Sequence, residues 1–401
     1  MDEGADERGC ATLTAVQPGV SARAILVLFA SDLGSISAGA LVAGLPLVRR
    51  TVLAAERAGW QPLVVSSKHA ELQQYLAGTS AEMLSLSETI PRLSARRVLL
   101  LSMAVVPQPE WLRRLLEMPV GPDRLYVDRA GVAMVEAAAP GAVLTVASRS
   151  AGVLEAVAKL RDLFDSAHGL PEGAGRFVLT APNDLPAAEA WLLRSLIKPN
   201  EGFMSRHFER RISLALTRRL CATRITPNAI TLVSLTIGLA GAPFFLSAAP
   251  RYQLVGALLF LAHSILDGCD GELARLKFLE SRWGALLDFG GDNLVHIAVF
   301  ACMAVGWSLH SGSAWPLLLG GLAVASTLCI AAIVYRRGMR ASTEGSSRSS
   351  LSRVADVVIY RDFIYLILLL AGFGKAHWFV ALTAIGAPVF LILLAWLGRK
   401  G

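Results

Sequence analysis

From Asn228 to Leu397 the chain is a succession of long apolar stretches with charges collected between them, a pattern that no water-soluble fold can bury. Six stretches, near 229–248, 252–273, 284–308, 314–335, 357–373 and 377–397, approach the ~20 apolar residues needed to cross a hydrocarbon core. Up to about residue 200, short apolar runs instead alternate with charges. A hydrophobic share of 54% over 401 residues is the average of these two unlike halves. The expected architecture is therefore multi-domain: a soluble N-terminal α/β domain followed by an all-α domain of six transmembrane helices.

Orientation follows from the linkers. Lys277 and Arg282 lie between the second and third spans, Arg336, Arg337, Arg340, Arg348 and Arg353 between the fourth and fifth, and Arg399 and Lys400 at the end. The opposite linkers carry only Arg251 and Lys375. The excess of basic residues on one side places that side, the soluble domain and both ends of the membrane domain in the cytoplasm of a plasma or inner membrane. The acidic start Met-Asp-Glu-Gly-Ala-Asp-Glu-Arg lacks the features of a secretory signal, and residues 1–22 read as a disordered terminus. A net charge of +7 raises two partners, nucleic acid and anionic lipid. Because the basic residues sit beside apolar spans, lipid is favoured and nucleic acid is not expected. Five cysteines without a Cys-x-x-Cys pair support neither a disulfide framework nor a zinc site.

Ahead of the first span, residues 203–222 interleave Phe208, Ile212, Leu216 and Leu220 with Arg206, Arg210, Arg211, Arg218 and Arg219, as an amphipathic helix in the cytoplasmic interface would. A helix packed on the soluble domain is the alternative. Thr226-Pro227-Asn228 then breaks the chain, with Pro227 opening the next helix.

The chemistry is concentrated in the second and third spans. Asp267, Asp270, Gly271 and Ala274 are spaced i, i+3, i+4, i+7 and share one helical face; Gly284, Asp288 and Asp292, each four apart, share another. A short linker makes the two helices antiparallel neighbours, so four carboxylates can meet near the cytoplasmic surface. At roughly 2.5–3.5 kcal/mol per centrally placed charge, four unpaired Asp would cost on the order of 10 kcal/mol. Arg275 cannot neutralise them alone, whereas one or two oxygen-preferring divalent cations, Mg²⁺ or Mn²⁺, could. Gly271, Ala274 and Gly284 leave room for a close approach to a nucleotide, and Arg275 offers a planar fork for phosphate. A proton path or a metal-coupled membrane carrier would also use buried acids, but has no need for small residues and an Arg at these intervals.

The pattern D-x2-D-G-x2-A-R-x8-G-x3-D-x3-D, matched here from Asp267 to Asp292, resembles that of the CDP-alcohol phosphotransferase family, and the resemblance covers about residues 198–400. It implies that Asp267, Asp270, Asp288 and Asp292 hold two metal ions, that Asp292 is also the general base, and that Gly271, Ala274, Arg275 and Gly284 hold the CDP group. The implied reaction passes a phospho-alcohol from a CDP-alcohol donor, CDP-diacylglycerol in phospholipid synthesis, to an acceptor alcohol, releasing CMP. Arg336, Arg337, Arg340 and Arg361 are candidates to bind the phosphate of an acceptor such as inositol phosphate or glycerol phosphate; a positive-inside anchor explains the first three equally well. Similar enzymes are homodimers.

In the first half, runs such as Ala24–Ala30, Pro62–Val65 and Val98–Leu101 alternate with helical stretches Leu45–Ala58 and Glu110–Glu117 over residues 23–197. The order resembles the Rossmann-like sugar-phosphate nucleotidyltransferases, which in some proteins, as inositol-phosphate cytidylyltransferases, are fused to a CDP-alcohol phosphotransferase. The segment Lys198-Pro-Asn-Glu-Gly202-Phe-Met-Ser205-Arg206 resembles that junction and opens the second domain, 198–401. Such fusions make di-inositol-phosphate phosphate from CDP-inositol, an alternative donor. Yet Phe29-Ala-Ser-Asp-Leu-Gly-Ser35 is no Gly-rich basic phosphate loop, and Leu101–Val106 lacks the expected acidic metal ligand. The domain is expected to be catalytically silent, with Asp32, Asp128 and Asp184 as possible substitute ligands.

Overall fold

A computed structural model describes residues 24–30, 36–66, 69–84, 96–170, 174–197, 204–344 and 363–397. The chain divides into two compact units, 1–188 and 189–401.

The strands of the first unit are Ala24–Phe29 (β1), Leu41–Val42 (β2), Leu45–Pro46 (β3), Gln61–Val65 (β4), Glu82–Met83 (β5), Arg97–Ser102 (β6), Val105–Pro107 (β7), Arg124–Val127 (β8), Val132–Glu136 (β9), Asp165–Gly169 (β10) and Arg176–Val178 (β11). Its helices are Leu47–Ala58 (α1), His69–Leu76 (α2), Pro109–Glu117 (α3), Pro140–Ser148 (α4) and Val153–Leu160 (α5), and Leu185–Ser195 (α6) runs across the division. Seven strands form one sheet in the order β10-β8-β9-β6-β1-β4-β5. The central strand β1 is parallel to β4 and β6, and its six residues are all buried. Alternation sends Ile25, Val27 and Phe29 to the face that packs with Val143, Leu144 and Ala147 of α4 and Val157 and Leu160 of α5. Leu26 and Leu28, on the other face, are equally buried, as a sheet covered on both sides requires. The alternating strands and helices expected from sequence are present. The sheet is mixed, however, because β9 lies antiparallel between β6 and β8, so the supported description is an α/β domain rather than a specifically Rossmann-like one.

The second unit begins its described part with a wide π turn over Ser205–Glu209, followed by Arg210–Cys221 (α7), Pro227–Gly241 (α8), Pro250–Lys277 (α9), Arg282–Ser311 (α10), Trp315–Glu344 (α11), Phe363–Gly372 (α12) and His377–Leu397 (α13). Local chemistry sets these ends. Pro227 occupies the first turn of α8 behind a Thr226 side-chain cap, and Ser281 Oγ accepts from the Gly284 amide at 2.9 Å to open α10. Helices α8 and α9 cross closely, since a Cβ at Gly256 would come within 3.0 Å of the Gly241 carbonyl oxygen. Phe245, Phe260, Val295, Val299, Met303, Ile367 and Phe379 belong to the shared core.

Four helical stretches, Pro227–Leu246, Pro250–Lys277, Arg282–Ser311 and Trp315–Ile333, are long and apolar enough to cross a membrane. Only 22–50% of their most apolar windows is buried inside the protein, so half or more of each window is left without full cover by protein. Of the fifth and sixth expected spans, the described residues include the helices Phe363–Gly372 and His377–Leu397, with residues 357–362 of the fifth outside the described residues.

Helix α7 turns its small polar side chains inward. Ser213, Thr217 and Cys221 are buried, while Phe208 is 47% and Ile212 36% exposed. The buried face meets Glu272 of α9, a carboxylate with 0% exposure. Arg210 Nη1 donates to Glu272 Oε1 at 2.5 Å, Ser213 Oγ to the same oxygen at 2.7 Å, and Thr217 Oγ1 to Oε2 at 2.7 Å.

Candidate active site

The two signature helices are joined by the short turn Phe278–Ser281. Asp267 and Asp270, each 5% exposed on α9, meet Asp288 of α10, and one carboxylate oxygen from each lies within 4.8 Å of the other two. Like charges held this close need a cation or a proton between them. Their all-oxygen donor set fits Mg²⁺ or Mn²⁺ rather than a soft metal. Asp292 stands outside this group, one turn farther along α10, where its Oδ1 lies 3.3 Å from Nε2 of His263.

Gly271, Ala274, Arg275 and Gly284 lie together in the structure. They line a cavity of about 270 Å³ that also reaches Asp270 and Asp288. A Cβ at Gly284 would approach Asn228 Oδ1 and Ser281 Oγ to 3.0 Å, and one at Gly271 would meet Arg275 Nη1 at 3.2 Å. Both glycines therefore keep open space that a side chain would fill. On the other side of Asp270, a second cavity of about 290 Å³ is lined by Ser205, Glu209, Arg210, Ser213 and Ser264 together with Asp267. Asp270, Gly271, Arg275 and Asp288 border both cavities.

Several residues here were not singled out from sequence. Thr231 of α8 donates through Oγ1 to Asp270 Oδ2, and Asn228 forms part of the first cavity wall. Their signal was only the Thr-Pro-Asn helix start, with Thr231 one turn beyond it. His263 precedes Asp267 by four residues and so falls one turn outside the pattern. Of the basic residues assigned to an acceptor, Arg336 is exposed on α11, Arg337 and Arg340 lie on the same helix, and Arg361 falls outside the described residues.

In the first unit, the reserve carboxylates have local employment. Asp128, 3% exposed, pairs with Arg176 and accepts from the Ala130 and Val132 amides at 2.8 and 3.1 Å. Asp184 accepts from Thr180 Oγ1 at 2.6 Å and from the Thr180 and Ala181 amides at 2.7 and 2.9 Å. The Thr180 hydroxyl, then these amides, hold the Asp184 carboxyl below its ordinary range. Asp32 and Cys10 lie outside the described residues, and among the described residues Cys221, Cys269, Cys302 and Cys329 are in no disulfide.

Residues 224–397 match the CDP-alcohol phosphatidyltransferase family. The chain is 36% identical over 208 residues to a bifunctional IPC transferase and DIPP synthase of Rubrobacter xylanophilus, a match covering 51% of this chain and 44% of that one. It thus spans less than half of that relative's length. It is also 28% identical over 193 residues to the phosphatidylinositol phosphate synthase of Mycobacterium marinum, covering 48% of this chain and 77% of that one. A crystal structure of Mycobacterium tuberculosis phosphatidylinositol phosphate synthase with CDP-DAG bound aligns with 46% of this chain and 94% of its own, at 22% identity and a TM-score of 0.33.

Proposed function

Because residues 224–397 match the CDP-alcohol phosphatidyltransferase family, we propose that the chain transfers a phospho-alcohol from a CDP-alcohol to an acceptor hydroxyl and releases CMP. The observation that carries this reading is the convergence of Asp267, Asp270 and Asp288 within 4.8 Å on the wall of a cavity bordered by Gly271 and Arg275. Those three carboxylates, with Asp292 beside them, would hold the Mg²⁺ or Mn²⁺ ions, two in number. Bound there, the ions supply charge neutralisation along the donor's diphosphate. Arg275 grips a phosphate oxygen, and Gly271, Ala274 and Gly284 admit the nucleotide against the helix surfaces. Asp292 takes the proton of the acceptor hydroxyl. The acceptor oxygen then bonds to the phosphorus that bears the alcohol, the bond from that phosphorus to the bridging oxygen breaks, and CMP departs with the bond's electrons.

The membrane supplies the setting. The outward apolar surface of the four long helices, the exposed Phe208 and Ile212 before them and the basic linkers all support a multi-pass protein of the plasma or inner membrane. Its site then opens to the cytoplasm, with the π turn and α7 lying in the interface. Arg336, Arg337, Arg340 and Arg361 receive the phosphate of the acceptor, and the active form is a homodimer. The first domain, whose Asp128 and Asp184 are spent on local hydrogen bonds, is catalytically silent.

For the donor, CDP-diacylglycerol is the first reading. CDP-inositol, with inositol phosphate as acceptor, is the second; the polar lining of the second cavity and the likeness to the Rubrobacter protein favour it. Purified protein with Mg²⁺ and each donor in turn, offered inositol phosphate or glycerol phosphate, separates them. CMP with a chloroform-soluble product supports the lipid donor, CMP with a water-soluble product supports CDP-inositol, and no CMP from any pair rejects the reaction.

A further inference from the structure

Three long apolar helices come together at the first cavity, where α8 begins at Pro227, α9 ends at Lys277 and α10 begins at Arg282. Connections at such an end are polar when bulk water surrounds them. Here Ile225 is 42%, Leu279 50% and Trp283 79% exposed. Arg224, Lys277 and Arg282 stand among them, and Glu280 is the single acid in 222–228 and 277–283. The exposed Phe208 and Ile212 belong to the segment that leads into the same end. Large apolar side chains interspersed with basic ones, a tryptophan foremost, compose a surface at the boundary of a bilayer rather than one in bulk water.

Local structure fixes this patch. Phe278 takes the left-handed conformation at φ 57°, and the Leu279 amide donates to the Ala274 carbonyl at 2.9 Å, so that α9 ends and the chain turns at once. Ser281 then caps α10, setting the position of Trp283 in its first turn. Lys277 Nζ donates to the Thr223 carbonyl at 2.8 Å and so ties the α9–α10 turn to the connection that carries Ile225. The patch also rims the first cavity, whose lining includes Leu279, Pro227 close after Ile225, and Gly284 next to Trp283.

Depth follows from the helical rise. From Lys277 back to Asp270, and from Arg282 on to Asp288, the helices advance ~9–11 Å. A headgroup layer is ~5–8 Å thick. With the patch among the headgroups, the carboxylates lie near the inner edge of that layer.

We propose that Ile225, Leu279 and Trp283 form a membrane-surface anchor, seated among anionic lipid headgroups with Arg224, Lys277 and Arg282, and that this anchor holds the mouth of the first cavity at headgroup depth. The anchor rests on the membrane setting proposed above for α8, α9 and α10, and not on which donor is used.

The test uses the full chain in lipid nanodiscs, with fluorotryptophan in place of tryptophan. The Trp283 resonance is the fluorine signal missing from Trp283→Phe, or from Trp283→Tyr if the first variant does not fold. That signal is expected to broaden most with a nitroxide near the headgroup end of the acyl chain, and less with one near the methyl end or with a water-soluble paramagnetic chelate. The loss of intensity should be greater when phosphatidylglycerol carries the nitroxide than when phosphatidylcholine carries it at the same density, because the three basic residues gather anionic lipid. Broadening strongest with the chelate would place the turn in water, and broadening strongest with the methyl-end label would place it in the hydrocarbon. Insensitivity to all three would mean that protein covers it. Any of these results overturns the anchor, and equal broadening by the two labelled lipids overturns its preference for anionic headgroups. CMP release plays no part in the measurement, so a chain that releases no CMP overturns the phosphotransfer reading alone, and a failed broadening pattern overturns the anchor alone.

Discussion

Thr231 Oγ1 lies within hydrogen-bonding reach of both Asp270 Oδ2 and the Pro227 carbonyl, and its one proton goes to the carboxylate, the stronger acceptor. A hydrogen bond to a charged group contributes about 1.5–3 kcal/mol, and Thr231 is 4% exposed, so water cannot readily replace it. Thr231→Val, nearly the same in volume, should therefore disturb the cation site and little else. The Mg²⁺ concentration for half-maximal CMP release is expected to rise ~10-fold, with the unfolding temperature of the cation-free protein changed little. An unchanged Mg²⁺ dependence would remove Thr231 from the site. Side-chain spacing set Asp267 and Asp270 on one face of α9 and Asp288 and Asp292 on one face of α10, because helical periodicity decides which residues of a helix share a face. Thr231 and His263 were silent, since their partners lie on other helices and no local period links them.

At the level of elements, the attachment of α7 has an identifiable centre in Glu272. This carboxylate occupies an unspecified position of the signature and takes three donors from a single helix. Removing one partner of a buried charged pair costs about 3–5 kcal/mol, because the remaining charge loses its compensation. Glu272→Ala should accordingly lower the unfolding temperature of the detergent-solubilised protein and expose α7 to proteolysis between Arg210 and Arg219. A wild-type cleavage pattern would mean that apolar contacts alone hold the helix. The interleaved Arg and apolar residues made α7 legible as amphipathic. They did not reveal that its small polar residues face inward, which depends on a carboxylate more than fifty positions away. Strand β9 was illegible for a related reason: alternation reveals a strand, but not whether its neighbour runs parallel or antiparallel.

For the whole molecule, the decisive contrast is between a first unit that buries its sheet on both faces and a second whose apolar helices remain largely uncovered by protein. Hydropathy made that division readable, and helix caps at Thr226 and Ser281 fixed where two of the spans begin. Among the described residues the sixth expected span is filled by the helix His377–Leu397, and residues 357–362 of the fifth lie outside them. The central claim joins the two signature helices to a reaction: their carboxylates form one cation-dependent site of phosphotransfer. Its most direct test is CMP release from a CDP-alcohol, measured against Mg²⁺ concentration and with a chelator, for wild type and Asp288→Asn. The account predicts Mg²⁺-dependent CMP release that falls ~100-fold or more in Asp288→Asn while the fold is retained. CMP release at the wild-type rate from Asp288→Asn, or release indifferent to the chelator, would contradict it.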